Sequence, residues 1–336
     1  MSLFPFSSDT KHLTKNTSNT SDSLCSSSAL FQFPETRQYG SHMVMTNVKP
    51  DTKCKYVNID TRFSDDFNVV GAANYTVIMP DRLTNVKSMS VVNVELPISF
   101  YNISAAIGNN IFYVTDTILG VTQEVLLPDN QYDISGLVVA INGILNTAFS
   151  GDLSYSVDAC GNSVFTSVLD TYTINFNVDS SGDTKLTPKF KLGWIMGFRG
   201  LSYSFGDSTG GGAGGMLVSE FAVNLTGPLY VYLVVNEFHN GDQTSFISVL
   251  SDSTIRKNIL ARVTTAYNIY PYGTILPANF GNGFLTSDTR VYGGGKIDIQ
   301  KLNIQIVDEN GAVMDLNGED VSMDIVTGKQ IGRAHV

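Results

Sequence analysis

The chain has 336 residues, enough for one large β domain or for two domains of ordinary size. Hydrophobic residues make up 43% of the sequence, whereas charged residues make up only 15%. Acidic residues outnumber basic ones by 31 to 21, and the resulting net charge of −10 argues against a nucleic-acid-binding protein.

Residues 1–55 form the first predicted region, a flexible polar arm. Residues 7–30 are mostly Ser, Thr, Asn and Asp, and such a composition cannot offset the entropy cost of ordering the chain. The N-terminal sequence lacks the basic start and apolar stretch of a secretory signal peptide, so we expect the protein to be made and folded in the cytoplasm. Three widely spaced cysteines, Cys25, Cys54 and Cys160, predict free thiols.

Residues 56–205 form a predicted first β-sandwich domain. Short segments in which apolar and polar residues alternate are separated by turn residues such as those at 108–110 and 161–162. One segment, DISGLVVAINGILNTAFS (133–150), instead repeats its apolar residues at helical spacing. This pattern predicts a single amphipathic helix near residues 134–148, which Asp133 or Ser135 can cap.

The segment KFKLGWIMGFRG (189–200) contains the only tryptophan and three glycines. Its glycine spacing matches neither dinucleotide nor phosphate loops, and Lys191 and Arg199 bracket too few residues for a membrane segment. The remaining interpretation is packed core, with Trp194, Ile195 and Phe198 inside the fold. We expect Trp194 to be buried, so that its truncation to Ala costs roughly 3 to 5 kcal/mol.

The glycine-rich stretch 206–215 follows, either as a linker between two domains or as a long loop of one sandwich. Residues 216–326 again show strand-like segments and predict a second β-sandwich or the remaining strands of the first. No apolar run approaches the roughly 20 residues of a membrane span, so no membrane-spanning segment is expected. Residues 331–336, IGRAHV, look like one reading frame of a sequencing adapter, and we expect residues 327–336 to be an artefactual or truncated tail.

Candidate chemical groups are few. His239 lies in a turn-like sequence without a nucleophile motif nearby, which favours a solvated turn histidine. The neighbouring pairs Asp65 with Asp66 and Asp308 with Glu309 occur in loop-like sequence, where such residues cap backbone groups more often than they bind calcium or act on sugars. The sequence therefore predicts no enzyme, no catalytic residues, no cofactor and no metal site.

Several stretches, read in order, resemble structural proteins of the nucleocytoplasmic large DNA viruses, which infect algae and other protists. Among them are YVNIDTRFSDDF (56–67) and LGWIMGFR (192–199). The other similar stretches occupy residues 74–104, 108–114, 126–142 and 298–320. Together they span most of the chain beyond residue 55, and their order and spacing carry the resemblance.

This resemblance implies a jelly-roll-type β-sandwich protein of the virion capsid, a minor capsid component such as the vertex penton. Expected partners are copies of itself, as a pentamer in preference to a trimer, and the major capsid protein. The alternative is a virion-surface attachment protein whose loop aromatics bind host glycans, with Tyr267, Tyr270 and Tyr272 as contacts. The same tyrosines suit a protein interface, where aromatic residues are enriched.

Overall fold

The computed structural model describes residues 35–39, 43–47, 52–64, 72–177, 188–206, 214–239, 246, 258–292 and 296–330. Antiparallel strands dominate these residues, as the alternation of apolar and polar side chains predicts. The first strands are β1 (Glu35–Tyr39), β2 (Met43–Asn47), β3 (Thr52–Asp60) and β4 (Asn74–Pro97). At 24 residues, β4 is far longer than the usual strand of about 5 to 6 residues.

After β4 the chain builds an inserted unit, residues 102–225. Its helices and strands are β5 (Ile111–Asp116), β6 (Val121–Leu126), α1 (Ile134–Phe149), β7 (Leu153–Val157), β8 (Asn162–Ser167), β9 (Tyr172–Asn175), α2 (Leu192–Ile195), β10 (Ser202–Phe205) and β11 (Met216–Ala222). Single 3-10 turns occur at Thr61–Phe63, before β4, and at Pro188–Phe190, before α2.

The chain then returns to complete an outer unit, residues 52–100 and 230–330. The returning strands are β12 (Tyr230–Asn236), β13 (Ile259–Thr264), β14 (Ile275–Asn279), β15 (Leu285–Ser287), β16 (Arg290–Val291), β17 (Ile297–Val307) and β18 (Ser322–Gln330). They pair with β3 and β4 in the order β15-β13-β12-β17-β4-β18-β3, and β14 and β16 also pair with β4.

This nine-stranded sheet curls on itself in a jelly-roll-like manner. The edge strand β15 comes back to β4, where the backbone NH of Val91 donates a hydrogen bond to Ser287 Oγ at 3.2 Å. β4 serves both parts of the curl, because its first half pairs with β17 and its second half pairs with β18, β14 and β16. The apolar side chains that the curl encloses form the larger hydrophobic core.

The inserted unit has its own core between two smaller sheets. One sheet has the order β10-β9-β5-β6 and the other has the order β11-β8-β7. α1 packs against β7 and β6 and buries Leu137, Ile141 and Leu145 among aromatic residues of both sheets. Neither α1 nor any other helix among the described residues has the length and apolar character that a membrane span requires.

The predictions of an all-β fold and of one amphipathic helix are confirmed. The helix predicted near residues 134–148 is α1, Ile134–Phe149, and its N-cap is Asp133. Asp133 Oδ1 accepts a hydrogen bond from the backbone NH of Gly136 at 2.7 Å, which satisfies one of the amides left unpaired at a helix start.

The two cores divide the chain differently from the predicted domains 56–205 and 216–326. The larger core combines residues before position 101 with residues after position 230, and the second core contains the residues between them. β11, which was predicted to start the second domain, instead pairs with β8 of the inserted unit. Period-2 patterns locate strands but carry no information on which distant strands pair, so sequence order suggested consecutive domains.

The glycine-rich stretch 206–215 connects β10 to β11, two strands of the inserted unit. Its ends meet, because a Cβ at Gly215 would overlap the backbone of Gly206. Glycine permits this approach of two backbones, and the stretch is therefore a loop inside one unit rather than a linker between two. Residues 207–213 lie outside the described part of the chain.

Both predicted termini also differ from the structure. β1, β2 and the start of β3 fall within the predicted flexible arm, and residues 1–34 lie outside the described part. β18 continues through residues 327–330 of the predicted artefactual tail and pairs with β3 and β4, while residues 331–336 are not described. Cys160 is a free, exposed thiol, but Cys54 is disulfide-bonded, so the prediction of free thiols is wrong for Cys54.

Asn102 joins the two ends of the inserted unit. Its buried Nδ2 donates hydrogen bonds to the carbonyl oxygens of Tyr132 and Leu225, both at 2.9 Å. Its Oδ1 accepts a hydrogen bond from the backbone NH of Tyr132 at 2.9 Å. The amide group therefore holds the start of the insertion to residue 225, shortly before the chain returns to β12.

Asn102→Asp is expected to lower the free energy of unfolding by about 2 to 4 kcal/mol, because it removes the Nδ2 donor and places a buried carboxylate against two carbonyls. Asn130→Asp is the matched control, since Asn130 is exposed and its Oδ1 accepts a hydrogen bond that a carboxylate can also accept. Chemical denaturation of both variants measures the difference. Equal stabilities would contradict the role of Asn102.

Candidate association surface

The segment 189–200 folds around α2 at the edge of the second core. Leu192, Met196 and Phe198 are fully buried, and the Phe198 ring stacks on Phe176 with 5.2 Å between ring centroids. Gly197 has a φ of +90°, and a Cβ there would overlap the carbonyl of Phe221. The segment therefore packs into the core as the sequence suggests, with glycine at the point where two backbones touch.

Trp194 does not belong to that core. It is half-buried, because the short helix α2 turns Leu192 inward and directs Trp194 toward the surface. The Arg199 guanidinium lies between two aromatic rings, 3.8 Å from the Trp194 ring centroid and 4.4 Å from that of Phe221. The expectation that Trp194 is buried is therefore wrong, whereas Phe198 is buried and Ile195 is partly buried against the core.

Beside this stack, β11 presents apolar side chains to solvent. Met216 is 64% exposed and Phe221 is 56% exposed, with Val218 also exposed between them. We name Trp194, Arg199, Met216, Val218 and Phe221 the β11 surface. Aromatic residues, Met and Arg are the side chains that protein interfaces favour over the rest of a protein surface. The composition of the β11 surface is therefore that of a protein contact.

Hydrogen bonds fix the polar edge of the β11 surface. Glu220 Oε1 accepts a hydrogen bond from the Tyr203 hydroxyl at 2.6 Å, and Glu220 Oε2 accepts one from the backbone NH of Arg199 at 3.2 Å. Arg199 Nη1 donates to the carbonyls of Trp194 and Phe198 at 3.1 Å each. The aromatic stack is consequently held in one arrangement before any partner binds.

The three loop tyrosines have different surroundings. Tyr267 packs edge-on against buried Phe100 and donates a hydrogen bond from its hydroxyl to the carbonyl of Pro228 at 3.0 Å. Tyr270 packs edge-on against Phe284 at the larger core. Of the three, only Tyr272 is exposed, with 44% of its surface accessible to solvent. The structure therefore uses Tyr267 and Tyr270 for packing and leaves Tyr272 at the surface.

Tyr272 forms a surface pair with Tyr101. Their rings stack with 6.0 Å between centroids and 22° between planes. Burial raises the pKa of Tyr272, and interactions with Tyr101 and Glu319 raise it further. The pair joins the segment that follows β4 to the loop before β14. The sequence did not indicate this contact, because the two residues are far apart in the chain.

The predicted polar turn at Asp308 and Glu309 is present. Asp308 Oδ1 accepts hydrogen bonds from the backbone NH groups of Asn310 and Ala312, at 2.9 and 2.8 Å. Glu309 Oε2 accepts one from the backbone NH of Leu229 at 3.1 Å, while burial raises the pKa of Glu309. Both carboxylates thus bind backbone amides, as the loop interpretation predicts. Asp65 and Asp66 lie outside the described residues.

His239 is exposed near the end of β12, with its ring 6.1 Å from the ring of Tyr292. Near it, Arg290 Nη1 contacts Glu237 Oε2 at 2.5 Å in a buried ion pair. Arg290 also donates to the carbonyls of Val235 and Asn258, at 2.8 and 3.0 Å. The pair ties β16 to β12, and the sequence did not predict it because ion pairing depends on the tertiary contact.

The sequence also did not predict that three carboxylates lie close together at one end of the inserted unit. Burial raises the pKa of Asp170, and the nearby charges of Asp116 and Asp152 raise it further. Asp152 Oδ2 accepts a hydrogen bond from the Tyr172 hydroxyl at 2.8 Å. Within the described ranges, no group of three or more His, Cys, Asp or Glu side chains is arranged to hold a metal ion.

Comparisons with known proteins leave the family of the chain open. No protein-family model matches the chain, and no curated protein sequence matches it. Among solved structures, the crystal structure of the mavirus penton protein is similar, with 11% sequence identity and a TM-score of 0.39. The alignment covers 84% of this chain and 100% of that one. At this TM-score the likeness supports no conclusion about the present chain.

Truncating Trp194 and Phe198 should have clearly different effects on stability. Phe198→Ala is expected to cost about 3 to 5 kcal/mol, because it leaves a cavity in the second core. Trp194→Ala should cost only about 1 to 2 kcal/mol, since it removes a half-buried ring and one cation–π contact. Equilibrium denaturation measures both losses of stability. Similar losses for the two variants would show that Trp194 contributes to the core as Phe198 does.

Asp170→Asn is expected to raise the melting temperature near pH 7. A raised carboxyl pKa means that the folded state binds the proton more tightly than the unfolded state does, so wild-type stability falls as the pH rises through the folded pKa. As the pH is lowered toward the ordinary aspartate pKa of about 3.9, the increase in melting temperature that Asp170→Asn gives should shrink. Thermal denaturation at several pH values tests this, with exposed Asp81→Asn as the control. A gain independent of pH would contradict it.

Proposed function

We propose that the protein is a structural component of a virus capsid that works by associating with other subunits and catalyses no reaction. The ordered resemblance to virion proteins of large DNA viruses, over most of the chain beyond residue 55, supports this role. The curled β-sheet supports it as well, because it gives a rigid body on which contact surfaces can be displayed.

The observation that carries the proposal is the β11 surface. It combines exposed Met216, Val218 and Phe221 with an aromatic and arginine stack that is already ordered. Leaving such a surface in water has a cost that contact with a partner removes. A second copy of the chain is the proposed partner, and this contact would hold copies together in a closed ring.

We assign the protein to the vertex of the capsid, as a minor component that also contacts the major capsid protein. A cyclic pentamer fits the symmetry of a vertex, and a trimer is the other arrangement considered. The proposed location is the virion, after synthesis in the host cytoplasm. Cryo-electron microscopy of particles tests this assignment through density at the fivefold vertices. Density confined to the facets or to the particle interior would overturn it.

Attachment to host glycans is the second candidate function, and Tyr272 is the feature that favours it. Sugar rings stack on exposed aromatic faces, and the Tyr101–Tyr272 pair offers one beside Glu319. Because Tyr267 and Tyr270 are engaged in packing, the proposed contact reduces to Tyr272 with Tyr101. A glycan array comparing wild type with Tyr272→Ala tests it, and unchanged binding would exclude this pair.

Replacing Met216 and Phe221 with Ser is expected to weaken self-association at least about tenfold, because the variant removes two of the largest apolar side chains of the β11 surface. Sedimentation velocity over a concentration series measures the change. Ile78→Ser with Phe63→Ser is the matched control, since these exposed residues lie on the outer unit. Equal weakening in both variants, or none in either, would contradict the proposed contact.

A further inference from the structure

One loop of the inserted unit carries an acceptor motif for sugar attachment, which the proposed capsid role does not use. Residues 224–226, between β11 and β12, read Asn-Leu-Thr and match the pattern Asn-X-Ser/Thr that N-glycosylating transferases recognise. The same pattern begins at Asn74 and Asn102, and at Asn16 and Asn19, which lie outside the described residues. Such a short pattern recurs by chance, so the surroundings of each copy decide which one can accept a sugar.

The copy at Asn102 is closed to a transferase. The residue is only 4% exposed, and its Nδ2, the atom that would receive the sugar, donates hydrogen bonds to two carbonyl oxygens inside the protein. A sugar on this nitrogen would displace these bonds and could not be accommodated in the folded chain. A transferase acting on the unfolded chain would meet Asn102 as readily as Asn224, so productive modification has to follow folding.

The copy at Asn74 is exposed but lies in a paired strand. Its backbone is in register with Gln305 of β17, and its Oδ1 accepts hydrogen bonds from Asn303 Nδ2 and Gln305 Nε2, at 3.4 and 3.3 Å. Asn303 Nδ2 also donates to Thr76 Oγ1 at 3.3 Å. Both side chains of this copy are held against the neighbouring strand, so the segment is not free to enter a transferase site.

The copy at Asn224 has the opposite surroundings. Asn224 and Thr226 are both exposed, while Leu225 between them packs against the second core. Asn224 Oδ1 accepts hydrogen bonds from the backbone NH and the hydroxyl of Thr226, at 3.1 and 2.6 Å. Nδ2, on the other side of the same amide group, donates no hydrogen bond within the described part of the chain. The nitrogen that receives a sugar is therefore available in the folded protein.

The loop is also ordered before an enzyme binds it. The backbone NH of Asn224 donates to the carbonyl of Ile195 at 2.8 Å, and the carbonyl of Leu225 accepts from Asn102 Nδ2 at 2.9 Å. These bonds hold the motif from both sides in a single conformation. Binding to a transferase then carries little entropy cost for ordering the loop.

We propose that Asn224 is a site of N-linked glycosylation on the folded protein, with a nucleoside-diphosphate sugar as the donor. Asn224 Nδ2 forms a bond to the anomeric carbon, the bond from that carbon to the diphosphate breaks, and the nucleoside diphosphate leaves with the electron pair. One Nδ2 proton passes to a base of the transferase, and no oxidant or reductant takes part. The proposal goes beyond the capsid role and does not rest on it, because self-association is measured on the unmodified protein.

Incubation of the folded full chain with uridine diphosphate glucose and a soluble N-glycosyltransferase tests the site, with peptide mass spectrometry to locate the hexose. We expect a hexose at Asn224 and none at Asn74 or Asn102. Thr226→Ala should lower modification of Asn224 at least about tenfold, because it removes the hydroxyl that the motif requires, and Thr226→Ser should retain it. Thr76→Ala is the matched control, since it breaks the copy at Asn74 and should leave Asn224 modified as in wild type. Melting temperatures establish that each variant is folded.

Protein isolated from its native source supplies a second measurement, which does not depend on any variant. Its Asn224 peptide should carry a sugar, and an unmodified Asn224 in that protein would overturn the proposal. A folded chain that accepts no hexose at Asn224 would overturn it too. Equal modification of Asn102 and Asn224 in the folded chain would also contradict it, because burial would then not select the site.

Discussion

The hydrogen bonds of Asn102 are the constraint on which the two-unit architecture depends. The chain leaves the outer unit after β4 and returns before β12. The buried amide of Asn102, shortly after β4, bonds to Tyr132 and to Leu225, which lies shortly before the return. A buried amide with unpaired donors would be costly, so the site accepts only a chain path that brings Tyr132 and Leu225 to the same place. The start and the end of the inserted unit are thereby held together.

Inside the outer unit, β4 is the strand that connects the parts of the chain before and after the insertion. Its 24 residues run through the whole curled sheet, and different parts of the strand pair with different neighbours on both sides. Strands that follow the insertion by many residues therefore complete a sheet that began before it. This arrangement explains why the outer unit has one core although its sequence is interrupted by more than a hundred residues.

The inserted unit carries the β11 surface, on which the proposed self-association rests. The β11 surface combines aromatic side chains with Arg199. Hydrogen bonds from the Tyr203 hydroxyl and from the backbone NH of Arg199 to Glu220 hold it, so it is ordered before it meets a partner. An outer unit with its own core, joined to an insertion that carries a contact surface, suits a protein that assembles with other subunits.

The sequence by itself determined the local features of the protein. Side-chain alternation predicted the strands, and helical spacing with Asp133 as cap predicted α1, because both depend on residues close together in the chain. The packing of Phe198 and the backbone-binding turn at Asp308 were also predictable from local composition. Only the tertiary structure decided which strands pair across the insertion, where Trp194 lies, and how Asp116, Asp152 and Asp170 meet. These depend on contacts between residues distant in sequence, on which a periodic pattern carries no information.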